Sequence, residues 1–160
     1  MRRKTTRNDV ETVYEIYMDD TVNPYQNFEP MSRAAFRPIF RAMMAGGGFQ
    51  VYELEGEVIA ALVVRCSEHR LRHLAYLGAL GIKREFQGRG YGTKILRELI
   101  HDLRAGGATR IELLVEADNA RAIAFYHKLG FEREGTHRNY LNRAADPGYT
   151  DAHLMGLLLE

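Results

Sequence analysis

The feature that most restricts this chain is a run of alternate glycines, Gln87-Gly88-Arg89-Gly90-Tyr91-Gly92-Thr93. It stands between an apolar extended segment ending at Ile82 and a stretch from Tyr91 to about Arg104, where Ile95, Leu96, Leu99, Ile100 and Leu103 recur at helical spacing. A strand must therefore feed a helix through a turn whose glycines let the backbone approach a ligand and point several N–H groups one way. The helix start adds unpaired N–H donors and roughly half a positive charge, so the turn suits a phosphate or another oxyanion. Arg89, Lys94, Lys83 and Arg84 add local charge. The pattern is not a dinucleotide fingerprint, because the sixth place counted from Gly88 is Thr93 and from Gly90 is Ile95. Nor is it a nucleoside-triphosphate loop, since Gly92 is followed by Thr93-Lys94 rather than by Lys and then Ser or Thr.

The rest of the chain is read around that turn. Val10, Val13, Tyr14 and Tyr17 predict a helix over Asp9 to Asp19, with Asn8 or Asp9 as its cap, and Ser32 opens a second one through Met44 that Gly46-Gly47-Gly48 stops. Phe49 to Leu54 and Val58 to Cys66 form a hairpin across Glu55-Gly56-Glu57, and Arg72 to Ile82 is a third extended run. Gly78 and Gly81 inside that run predict a bulge or a close approach to the backbone. Arg110 to Glu116 is a strand, Asn119 to Leu129 a helix, and strands near Phe131 to Glu134 and His153 to Leu159 close the sheet. The order gives one mixed α/β domain over residues 1–160, a size that needs no metal or disulfide staple.

With 22 basic and 21 acidic side chains the net charge is +1, which gives no global field for nucleic acid, so any anion site is local. The single cysteine, Cys66, excludes an internal disulfide, points to a reducing cytoplasmic setting and reads as a small core residue. The basic start through Arg7 lacks the apolar stretch of an export signal and reads as a solvated end. The longest apolar run, Val58 to Val64, is far short of the ~20 residues of a membrane helix. His69 and His73 share a face without a third ligand, so no metal is expected.

Gln87-Gly88-Arg89-Gly90-Tyr91-Gly92 resembles the Q/R-x-x-G-x-G/A phosphate loop of the GNAT superfamily of acyl-CoA-dependent N-acetyltransferases. About 30 residues on, Asn119 through Phe131 resembles that family's N-x-x-A-x-x-x-Y-x-x-x-G-F segment. The resemblance runs from about Leu74 to the C-terminus, and Gly135, Tyr140, Tyr149, Asp151 and Met155 extend it through the tail. It implies a mixed, mainly antiparallel sheet with splayed middle strands flanked by helices, and acetyl-CoA as acyl donor without a metal. It also implies that Leu80, Gly81 and Ile82 pair with the pantetheine arm. Gln87, Gly88, Arg89, Gly90, Tyr91, Gly92 and Thr93 then hold the diphosphate, and Asn119, Tyr126 and Lys128 complete the cofactor contacts. Tyr126 takes the general-acid role, and Gly78 marks the bulge that aims a main-chain N–H at the thioester oxygen.

The base is open. Tyr76 to Ile82 carries no carboxylate, and Leu114 stands where some relatives have their Glu, which leaves Glu116, Glu112, His73 or a water. Glu116 is the residue put forward, since alternation sets Glu112, Leu114 and Glu116 on one strand face. The expected activity is acetyl transfer to the primary amine of a small molecule by direct attack in a ternary complex. The alternatives are acetylation of a protein or peptide N-terminus, and a silent CoA-binding module. Relatives are often homodimers; no nucleic acid or membrane partner is expected.

Overall fold

The computed structural model describes residues 1–159. Seven strands, β1 (Arg2–Lys4), β2 (Phe49–Leu54), β3 (Glu57–Cys66), β4 (Leu74–Ile82), β5 (Arg110–Glu116), β6 (Glu132–Asn142) and β7 (Tyr149–Leu158), pair in the order β1-β2-β3-β4-β5-β7-β6. The helices are α1 (Val10–Met18), α2 (Arg33–Ala45), α3 (Tyr91–Ala105) and α4 (Ala120–Lys128). This is the expected mixed α/β class with a mostly antiparallel sheet. The chain parses into two compact units, residues 1–65 with 77–95, and residues 66–76 with 96–160. Among the described residues no helix is long and apolar enough to cross a membrane.

In the first unit β3 is apolar on both faces, with Val58 through Val64 all buried, as expected of a strand covered on each side. One side of this unit's core joins Val13, Ile16 and Tyr17 of α1 to Phe36 and Phe40 of α2 and to Phe49 and Val51 of β2. Its rings meet edge to face, Tyr14 on Phe36 and Phe40 on Phe49, each at 5.6 Å between centroids. Ser32 caps α2 as its spacing predicts, its hydroxyl accepting from the Ala35 N–H at 3.2 Å.

Two expectations fail here. Asp9 does not cap α1 through its side chain. Its carboxylate instead accepts the Thr6 N–H at 2.7 Å and bonds from the two terminal guanidinium nitrogens of Arg3 at 2.8 and 2.9 Å. Burial works to raise the Asp9 carboxyl, but these bonds overcome it and hold the group below the usual carboxylate range. The basic start is likewise no loose end: Arg2–Lys4 pairs antiparallel with Tyr52–Gln50, and Arg3 also binds Glu53 at 2.8 Å. Strand pairing needs only backbone groups, so a charged tripeptide can form an edge strand.

In the second unit β5 alternates as expected, with Ile111, Leu113 and Val115 buried and Glu112, Leu114 and Glu116 only partly so. It runs antiparallel to β7 from Arg110↔Leu158 to Glu116↔Ala152 and parallel to β4 from Leu74↔Arg110 to Tyr76↔Glu112. β6 extends well past the expected Glu134, to Asn142. It is almost entirely exposed and held by its ladder with β7. Cys66 is exposed at the end of β3 rather than buried in the core, because the apolar run stops at Val64.

Candidate active site

The glycine turn is built in the first unit. Gly88 and Gly90 both take left-handed conformations, with φ of +71° and +84°, and Tyr91 opens α3 directly afterwards. A side chain in either place would be strained, although the space around both is open. Gly90 closes the first turn of the helix, its carbonyl accepting the Lys94 N–H at 3.1 Å. The N–H groups of Tyr91, Gly92 and Thr93 are thus first-turn donors with no helical acceptor available to them. Arg89 is exposed beside them. Alternating left-handed residues followed by a helix start make a nest of main-chain donors suited to an oxyanion.

Gln87 has a bracing part. Its amide donates to the Ile82 carbonyl and the Thr21 hydroxyl, both at 2.9 Å, which ties the turn to the end of β4 and to the segment after α1. Arg84 is held by Asp19 at 3.1 Å and by Asp20.

β4 carries one backbone irregularity near its end. The left-handed residue is Ala79, with φ of +50°, whereas Gly78 has no positive φ. The buried Tyr17 hydroxyl donates to the Ala79 carbonyl at 2.7 Å, which pins the irregularity from α1. Gly81 answers to packing: a Cβ there would lie 2.8 Å from Ile16 Cγ2 and 3.0 Å from Val22 Cγ1, so the close approach is that of α1 and the segment after it. The Leu80 carbonyl accepts from Gln26 at 3.4 Å.

The second unit carries Asn119, Glu116 and Tyr126. Asn119 caps α4, its Oδ1 accepting the Ala122 N–H at 3.1 Å, while its own N–H binds the Glu116 carbonyl at 3.0 Å. The end of β5 and the start of α4 are therefore one fixed corner. Seven residues on, two helical turns, Tyr126 projects from the same side of α4 as Asn119. Its ring packs on Phe131 at 5.6 Å and on Phe125 at 5.3 Å. Burial pushes the Tyr126 phenol well above the ordinary tyrosine value, and the neighbouring Glu116 and Tyr76 push it further. Lys128 is exposed at the end of the helix.

The three candidate bases differ. Burial raises the Glu116 carboxyl above the usual carboxylate range, Arg143 opposes that rise and Asp118 adds to it. Glu112 is ion-paired with Arg110 at 3.4 Å, and Arg110 is shared with Glu134. His73 is exposed, and its carbonyl receives the Thr109 and Arg110 N–H groups. Glu116 combines a carboxyl biased toward proton uptake with an electrostatic effect on Tyr126. Arg143, Asp118 and Tyr76 were not anticipated. Arg143 lies in the β6–β7 connection and binds Asp118 at 2.7 Å and Asp146 at 3.2 Å, a pairing that no regular spacing announces.

The model of the acetyltransferase (GNAT) family matches residues 10–131. This chain belongs to the GNAT family. Within it, the L-amino acid N-acetyltransferase AaaT of Escherichia coli K12 is 32% identical over 167 residues, covering 97% of this chain and 94% of that protein. The [ribosomal protein bS18]-alanine N-acetyltransferase of Salmonella typhimurium LT2 is 40% identical over 83 residues, 52% of this chain. The uncharacterized N-acetyltransferase MJ1207 of Methanocaldococcus jannaschii is 27% identical over 147 residues. These last two alignments take in only 55% and 63% of the relatives' own lengths. Among solved structures, the ribosomal-protein-S18-alanine N-acetyltransferase of Escherichia coli superposes with a TM-score of 0.76 at 25% identity, over 100% of this chain and 94% of that one.

Proposed function

We propose that this GNAT chain moves the acetyl group of acetyl-CoA onto the primary amine of a small molecule by direct attack in a ternary complex. The observation that carries the reading is the pair of left-handed glycines, Gly88 and Gly90, opening α3. Such a nest would hold the CoA diphosphate on the N–H groups of Gly88 through Thr93, without a buried lysine. Leu80, Gly81 and Ile82 present main-chain groups to the pantetheine amides, and the Asn119 amide, beyond its capping bond, has two N–H hydrogens to offer a ligand.

Glu116 is the base. The amine nitrogen attacks the thioester carbonyl carbon, Glu116 takes the proton that the nitrogen sheds, and the C–S bond breaks to leave the amide and the CoA thiolate. Tyr126 is the acid. Its raised pKa keeps the phenol neutral across the working pH range, so the hydrogen is always present for the departing sulfur. Held this high, the phenol stabilises the thiolate by hydrogen bonding rather than by giving up its proton outright, and the proton that Glu116 received balances the one the CoA thiol finally takes up. The reaction needs no metal.

AaaT, aligned over nearly all of both chains, favours a small amino compound, and the Salmonella relative supports a peptide N-terminus as the second reading. Incubation with acetyl-CoA and a panel of L-amino acids, polyamines and an N-terminal alanine peptide, followed by thiol release, tests both. Release with a small amine is expected. Release with the peptide alone would select the second reading, and CoA binding without any release would reduce the chain to a binding module. Tyr126→Phe is expected to lower kcat roughly tenfold with CoA affinity unchanged. Equal kcat would remove Tyr126 from the chemistry.

A further inference from the structure

The first unit holds a second feature that acetyl transfer does not use. A cavity of about 420 Å³ is lined by Arg7, Val10, Arg37, Phe40 and Arg41. Its volume lies in the range of small-molecule sites, roughly 300 to 1,000 Å³. Phe40, only 2% exposed, and the partly buried Val10 give it an apolar floor. Arg7, Arg37 and Arg41 line the rest.

The charges do not cancel locally. Arg37 is paired with Glu11 at 2.8 Å, and Glu11 is shared with Arg33 at 2.6 Å. Glu15 is in turn reached by Arg33 at 3.5 Å. The carboxylates along this face of α1 are thus already matched to α2. Arg7 and Arg41 have no ion-pair partner among the described residues, and both are exposed. Two arginines without an acidic partner, at the rim of a cavity that also holds a phenyl and a valine side chain, complement one kind of molecule. It carries an anionic head that an arginine fork can grip with paired hydrogen bonds and an apolar body that covers the floor.

We infer that this cavity binds a small carboxylate with a compact apolar body, an aryl- or alkyl-carboxylate, held by Arg7 and Arg41 over Phe40 and Val10. The site is separate from the glycine turn in its residues. It also lies at the Val10 end of α1, about 13 Å along the helix from residues 19–32, which follow its other end. Its occupant bridges α1 and α2.

Residue-resolved NMR titration of the full chain with 3-phenylpropionate tests this, with 3-phenylpropionamide and inorganic phosphate as comparisons. The expected result is saturable shifts at the amides of Val10, Phe40 and Arg41. Affinity should fall at least tenfold for the neutral amide and for phosphate, and at least tenfold for the native probe in a combined Arg7→Gln and Arg41→Gln variant. Both arginines are exposed, and the thermal unfolding of that variant should match the native chain. Non-saturating shifts would overturn the inference. So would equal binding of the amide, unchanged binding in the variant, or shifts confined to Gly88–Thr93.

Discussion

Gly48→Ala is expected to destabilise the fold by about 4 kcal/mol, against about 1 kcal/mol for Gly47→Ala next to it. Both glycines are left-handed, with φ of +74° at Gly47 and +72° at Gly48, so both variants carry the strain of an L side chain there. Only Gly48 faces a neighbour. A Cβ at Gly48 would lie 1.9 Å from the Val64 carbonyl oxygen and 2.8 Å from its carbon, whereas nothing lies within 4 Å of one at Gly47. The obstacle is backbone and cannot rotate away. The Gly48 carbonyl also accepts the Val64 N–H at 2.8 Å, so relief of the clash must pull apart the bond that joins the start of β2 to β3. Urea denaturation of the two variants measures the difference. Similar losses would mean that β2 and β3 do not approach as closely at Gly48 as described.

Glu116→Gln is expected to lower kcat roughly a hundredfold and to change the shape of the pH profile. In the native chain the rate should rise with pH as Glu116 loses its proton. Because burial raises this carboxyl, that limb lies above the ordinary Glu value of about 4.3. The limb should vanish in the Gln variant. Stability moves the other way. A group whose folded pKa is raised contributes stability below its unfolded pKa and loses it as pH rises through the folded one. Near neutral pH the native chain therefore carries an unfavourably buried charge that Gln removes, and the variant should unfold at the same temperature or higher. A slow enzyme with an undamaged fold separates a base from a strut. Retention of both the rate and its acid limb would return the role to Glu112, His73 or water.

Local periodicity made the central elements legible. Arg110–Glu116 carries a period of two that its burial follows, and α3 carries a period near 3.6 closed by Gly106-Gly107. β1 and most of β6 were not legible, for a shared reason. Arg2–Lys4 is charged and residues 135–142 are mostly polar, and their strand state comes from the backbone pairing that β2 and β7 offer. Cys66 was misplaced because a small apolar side chain at the end of an apolar run looks like its continuation.

The site was legible to the same degree. Gly88, Gly90 and Asn119 announce themselves because a left-handed turn and a helix cap each demand a residue type. Glu116 was one carboxylate among several until burial, with Arg143 and Asp118 nearby, set it apart. The left-handed residue of β4 is Ala79 rather than a glycine, and Tyr17, 62 residues earlier, holds its carbonyl. A contact over that separation leaves no local pattern to read.

The direct test of the central claim is calorimetric titration of CoA into the native chain and into Gly90→Ala. A left-handed φ of +84° at Gly90 and open space around it mean that alanine should strain the turn without disturbing its neighbours. A strain of about 1 to 2 kcal/mol predicts binding of one CoA per chain that weakens roughly tenfold in the variant. No heat with the native chain, or equal affinity in both, would contradict the assignment of the diphosphate to this turn.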